Sequence, residues 1–147
     1  MARDSSQQRL ALLTYGRLMR AANALRTQAA RQLDSTGLTL SQFAVLEALY
    51  HLGPMSLSQV AARILTTGGN LTMVARNLEK QGLATRHCSA EDARVYILSL
   101  TSKGKRLIAE IFPDHAAAIT AALDALSRSD QKKLSELCRK LAVAQQE

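Results

Sequence analysis

SLSQVAARILTTGGNLTMVARNLEKQGL, residues 56–83, is the stretch on which the reading of the chain turns. Ser56-Leu57-Ser58-Gln59 has the form of a capping box: the serine accepts from the third helical amide and the glutamine reaches back. A short helix follows, with Leu57, Val60, Ala61 and Ile64 inward. A second helical pattern then runs from Thr66 to Leu83, with Leu71, Val74, Ala75 and Leu78 on one face and Gly82 where a left-handed C-terminal cap belongs. Two adjacent glycines, Gly68 and Gly69, stand at its mouth, although each costs a helix interior about 1 kcal/mol relative to alanine. The face opposite the leucines carries Gly69, Asn70, Thr72, Met73, Arg76, Asn77 and Lys80.

Working outward, residues 8–33 place Leu12, Tyr15, Leu18, Ala22, Leu25, Ala29 and Leu33 at steps of three and four, an amphipathic helix that Gly37 stops. Thr39-Leu40-Ser41-Gln42 is a second capping box, opening a helix whose inward face reads Phe43, Leu46, Leu49 and Tyr50 and which Gly53-Pro54 ends. Downstream, residues 83–100 alternate on either side of a polar SAEDA interruption, which predicts two short strands in a β-hairpin. Thr101 reads as the N-cap of a long helix from about Ser102 to Leu126, with a kink expected at Pro113 because it lacks an amide donor. A last helix uses Leu134, Leu137, Cys138 and Leu141, which predicts a buried Cys138.

The order predicts a mainly α fold with a small β-wing: a winged helix-turn-helix, a unit that lays its second helix in the major groove of duplex DNA. On that helix Arg76 can donate two hydrogen bonds to guanine, Asn70 or Asn77 can read adenine, and Met73 can touch a thymine methyl. Thr72 and Lys80 share the face. A helix N-terminus offers free amides to a phosphate, and Gly68 and Gly69 would let the backbone approach where a side chain would hold it off. Thr67 is then the N-cap. The plain alternative is a solvated polar face.

Charge points the same way. The chain carries +7, distributed as +4 over residues 1–36, −1 over 37–53, +5 over 54–106 and −1 over 107–147. A basic middle is the electrostatic footprint of a polyanion partner. Aromatic residues make up only 3%, too few for the stacking platforms of single-strand binders, so duplex is the better partner. At 47% hydrophobic, the chain can bury a core. No apolar run reaches membrane-spanning length and the N-terminus lacks a signal-peptide core, so a cytoplasmic protein without membrane contact is expected. Cys88 and Cys138 lie too far apart for a metal-ligand spacing, and His51, His87 and His115 have no mutual spacing that argues for a metal. No cofactor is implied. Nor is an enzyme, since no nucleophile stands with a positioned base.

The run EDARVYILSLTSKG, residues 91–104, resembles the wing signature of the MarR family of winged helix-turn-helix regulators, matching it at Asp92, Arg94, Leu98, Leu100, Thr101 and Gly104. The resemblance extends to the LTLSQFAVL run at Leu38–Leu46, to NLEKQGL at Asn77–Leu83, and to the terminal helices. It implies that Arg94 enters the minor groove at the wing tip, oriented by Asp92. Ala93 departs from the pattern, where many members carry a second arginine, and Gly68 departs where many carry serine. The family also implies a homodimer, with residues 1–36 and 105–147 as dimerisation helices and 37–104 as the DNA-binding lobe. The alanine-rich faces at Ala116–Ala118 and Ala121-Ala122 suit that independently. A twofold dimer would read a pseudo-palindromic operator.

Family members commonly bind small phenolic or aromatic effectors between the dimer body and the lobe. By position, Tyr15, Met19, His51, Met55 and Phe112 are the candidate lining residues. The expected function is therefore a homodimeric, ligand-released repressor. Two alternatives remain: a winged-helix protein-interaction or structural module, and a redox-responsive regulator acting through Cys88, whose thiolate Arg86 would favour.

Overall fold

The computed structural model describes residues 5–64 and 68–145. In chain order the elements are α1 (Ser5–Leu33), a 3-10 turn (Asp34–Thr36), α2 (Leu40–Leu52), β1 (Met55–Ser56), α3 (Leu57–Arg63), α4 (Gly68–Lys80), β2 (Ala84–Cys88), β3 (Tyr96–Leu100), α5 (Ser102–Leu123) and α6 (Arg128–Val143). The fold is mainly α with a small antiparallel sheet, as the periodicities predict.

Local chemistry sets the helix ends. Thr39 Oγ1 accepts from Gln42 N at 3.1 Å while Gln42 Oε1 accepts from Thr39 N at 2.9 Å. Ser56 and Gln59 make the same reciprocal pair at 3.2 and 2.9 Å. Both capping boxes are therefore formed, and each satisfies amides that a helix start leaves open. Gly37, Gly53 and Gly82 take positive φ of 73°, 82° and 69°, backbone that only glycine adopts without strain.

The chain divides into two compact units, residues 1–28 with 116–147, and residues 29–115. The second unit holds the main core, in which Leu33, Phe43, Leu46, Leu78, Leu98 and Ile108 are almost fully buried. Ala29, Leu33, Ile108 and Ile111 also bury their side chains within this unit. The sheet order is β1-β3-β2. In it Met55 pairs with Leu98, and the hairpin register runs from Ala84 opposite Leu100 to Cys88 opposite Tyr96. Strand β1 was not foreseen: two residues, the second of them itself the cap of α3, carry no readable alternation.

In the other unit, Ser127 caps α6 by accepting from Asp130 N, and Gln131 donates to the carbonyls of Leu123 and Leu126. Nothing in α6 is buried within the chain, and Leu134, Leu137 and Leu141 are exposed. Cys138 is exposed too, against the expectation that it is buried. Its face is apolar, but no part of the described chain covers it. Similarly, of the apolar face foreseen for the first helix only Ala29 and Leu33 are buried, and Leu12 and Tyr15 stand open. Tyr50 also differs: the buried stripe of α2 is Gln42, Phe43, Val45, Leu46 and Leu49, and Tyr50 falls on its exposed flank. Helix α5 continues past Pro113 to Leu123.

Candidate nucleic-acid interface

Helix α4 is anchored through Leu71, Val74, Ala75 and Leu78, all buried, as its spacing predicts. This leaves Asn70, Met73, Arg76, Asn77 and Lys80 exposed and Thr72 half-exposed along the other side. A donor-rich strip with one thioether is the chemistry that reads base edges. The helix begins at Gly68, so Gly68 and Gly69 form its first turn. The proposed cap Thr67 lies outside the described residues.

The wing is a seven-residue loop closed by Ser89 N donating to the Val95 carbonyl at 2.7 Å. At its tip Asp92 organises the turn. Its carboxylate accepts from the backbone amide of Arg94 at 3.0 Å, and from Arg94 Nε and Nη2 at 3.1 Å each. This two-pronged contact fixes the direction of a side chain that is otherwise 91% exposed. The guanidinium, and then the backbone amide, hold the Asp92 carboxyl below its usual range. The Asp92 carboxyl is therefore ionised at neutral pH.

Helix α4 and the wing are joined at two further places. The first is at the start of α5. Thr101 Oγ1 donates to the Gly82 carbonyl at 2.6 Å and accepts from Gly104 N at 3.0 Å, so it caps α5 while gripping the end of α4. Lys103 Nζ donates to the Gln81 carbonyl at 2.8 Å. The second is on the sheet. Arg86 lies 3.6 Å from the Glu79 carboxylate and 5.0 Å from the centre of the Tyr96 ring. Arg86 is thus engaged by Glu79 and Tyr96. Cys88, its neighbour two places on, is an exposed thiol at the end of β2.

The five positions suggested for an effector are not all alike. His51 and Phe112 meet edge-on, with ring centres 4.6 Å apart. Met55 is buried in β1 and borders an open cleft of about 440 Å³ with Leu52, Pro54, Gln59, Ala62 and Arg63. Tyr15 and Met19 are exposed on α1, in the other compact unit. His115, weighed in the sequence only as a metal ligand, has a packing role that the sequence did not indicate. It is buried against the Phe43 ring, 4.2 Å between centres, and its Nδ1 lies 3.2 Å from Gln32 Oε1, a contact that the Nδ1–H tautomer makes as donor. Burial pushes its pKa down, opposed by the charge of Glu47. Among the described residues no three His, Cys, Asp or Glu side chains gather as a metal set, and no helix is long and apolar enough to cross a membrane.

Residues 36–95 match the MarR family. The HTH-type transcriptional regulator MhqR of Bacillus subtilis is 35% identical over 126 residues, covering 86% of this chain and 87% of that protein. A MarR family transcriptional regulator from Streptomyces coelicolor, solved in complex with DNA, is 25% identical with a TM-score of 0.83, over 97% of this chain and 89% of that one. BpsR of Bordetella bronchiseptica, whose DNA binding is regulated by 6-hydroxynicotinic acid, shares the fold with a TM-score of 0.78 and 24% identity, over 85% and 89%. A relative of that identity and coverage, together with a helix-turn-helix and wing built as described, places this chain in the MarR family of transcriptional regulators, with a DNA-binding winged helix and no enzymatic role.

Proposed function

We propose that the chain is a cytoplasmic homodimeric repressor that binds a pseudo-palindromic operator and is released by a small aromatic ligand. The observation that carries the reading is the pairing, on one lobe, of an exposed α4 face with a wing tip whose Arg94 is aimed by Asp92. Helix α4 enters the major groove, where Arg76, Asn70 and Asn77 read bases, Met73 meets a thymine methyl, and Thr72 and Lys80 hold the backbone. Gly68 and Gly69 bring the first-turn amides of α4 close to a phosphate. Arg94 enters the adjoining minor groove, favouring narrow A·T-rich flanks where the negative potential is strongest.

The open leucine faces of α1 and α6 support the homodimer: Leu10 and Leu13 on one helix, Leu134, Leu137 and Leu141 on the other. Apolar stripes of this kind are what a partner surface covers. The aromatic effector is supported by the ring pair His51–Phe112, with Met55 as a further lining candidate in the same unit. BpsR offers a parallel in a chain of the same fold.

Selection of binding sites from random duplex DNA tests function and symmetry together. The expected product is a twofold site with half-site centres about 34–36 Å apart. Recovery of no enriched sequence would instead favour a protein-interaction module, and an asymmetric site would remove the homodimer from the reading.

A further inference from the structure

The three groups Glu79, Arg86 and Tyr96 come from three different elements: the last turn of α4, the middle of β2 and the first residue of β3. Cross-strand partners share a face of a sheet. Arg86 lies opposite Leu98, and Tyr96 opposite Cys88, so Arg86 and Tyr96 stand on the same face as the buried Ala84 and Leu98. That face turns toward the core at its base and toward the end of α4 farther out. The guanidinium, half-buried at 26%, lies 5.0 Å from the centre of the Tyr96 ring and pairs with a Glu79 that is equally sheltered at 28%. Arginine suits such a place because its flat, weakly hydrated head can stack and pair at once.

The consequence concerns the wing. Its base is held by Leu83, Ala84 and Leu98 in the core. Farther out, Arg86 ties Tyr96, two residues from Arg94, to the recognition helix. We infer that Glu79, Arg86 and Tyr96 form a brace that sets the angle of the wing tip relative to α4, making Arg86 a positioning residue for the Arg94 contact with DNA. This rests on the reading of Arg94 as a minor-groove contact. Glu79 then has a role opposite in sign to its charge. On a surface presented to phosphates, an isolated carboxylate opposes binding, and its removal tightens it. As part of the brace, its removal loosens the wing.

Operator binding by the full-length protein is measured for Glu79→Gln, Arg86→Met, Tyr96→Leu and Arg94→Ala, and for each of the first three combined with Arg94→Ala. Melting curves without DNA accompany each variant. The brace predicts that Glu79→Gln and Arg86→Met each weaken binding, on the order of threefold to tenfold, as expected for groups coupled through direct contact. It predicts that Tyr96→Leu weakens binding in the same direction, and that all three effects vanish once Arg94 is alanine. Three results would overturn the brace alone: tighter binding by Glu79→Gln, a loss in Arg86→Met that persists undiminished in the Arg94→Ala background, or no loss in any of the three brace variants while Arg94→Ala weakens binding. The persistent loss would make Arg86 a phosphate contact in its own right. Unchanged affinity in Arg94→Ala would overturn the wing reading, and the brace with it.

Discussion

A guanidinium in the middle of the exposed face of α4 is where base discrimination should concentrate. Arg76→Ala is expected to remove about 1–3 kcal/mol of preference at one base pair, read by comparing operator variants, while binding to other positions keeps its pattern. A uniform loss across all sequences would instead make Arg76 a phosphate contact. His115 yields a prediction about pH. Its folded pKa lies below the ordinary imidazole value of 6.5 because it is buried against Phe43. The unfolded chain therefore takes up the proton first as the medium is acidified. Stability is unaffected by this group well above pH 6.5, falls as pH drops below 6.5, and levels off once the folded pKa is passed. Melting temperatures between neutral and mildly acid pH should show a decline that His115→Gln reduces. An equal decline in the variant would assign the acid sensitivity to other groups.

Among the elements, the two helices of the DNA-reading unit depend on different devices. Helix α3 has only seven residues, and such a helix is marginal without its cap. Ser56→Ala should cost about 1 kcal/mol in denaturant unfolding, because the Gln59 amide loses its acceptor. Helix α4 depends on its joint with α5. A Cβ built on Gly104 would lie 2.1 Å from the Leu83 carbonyl oxygen, a backbone atom that cannot swing aside. Gly104→Ala is therefore expected to destabilise the chain by about 1–3 kcal/mol or more, the range for forcing an extra carbon into a packed site. A melting temperature equal to that of the parent would show that α4 and α5 can part without cost. The glycine was legible in the wing signature, but its reason was not. Only the approach of two helix ends, with Thr101 bridging them to Gly82, explains why a side chain has no room.

For the molecule as a whole, the distribution of apolar surface carries the main prediction. A monomer in solution would leave Leu134, Leu137 and Leu141 in water, together with much of α1. Burying a leucine side chain is worth roughly 1.5–3 kcal/mol, so several of them on one face favour association. Sedimentation at micromolar concentration should show a dimer, and Leu137→Glu should shift it toward monomer and weaken operator binding with it. A parent protein that sediments only as monomer would remove the dimer from the proposal.

The sequence by itself determined the local architecture. Both capping boxes, the inward set of α4, the hairpin with its Asp92–Arg94 tip and the glycine-ended turns depend on residues within a few positions of one another. Such patterns are fixed by backbone geometry and short-range hydrogen bonding, and they can be read before any fold is known. Tertiary structure decided what distant residues do together. Gln32 and His115 meet across 83 positions, Arg86 bridges α4 to β3, and β1 pairs with a strand some forty residues later. It also decided which apolar faces are covered: the leucine spacing around Cys138 announces an apolar face, yet that face lies open on α6. Periodicity records which side of a helix is apolar. Burial depends on whether another surface arrives there, and that is a property of the assembled chain and its partners.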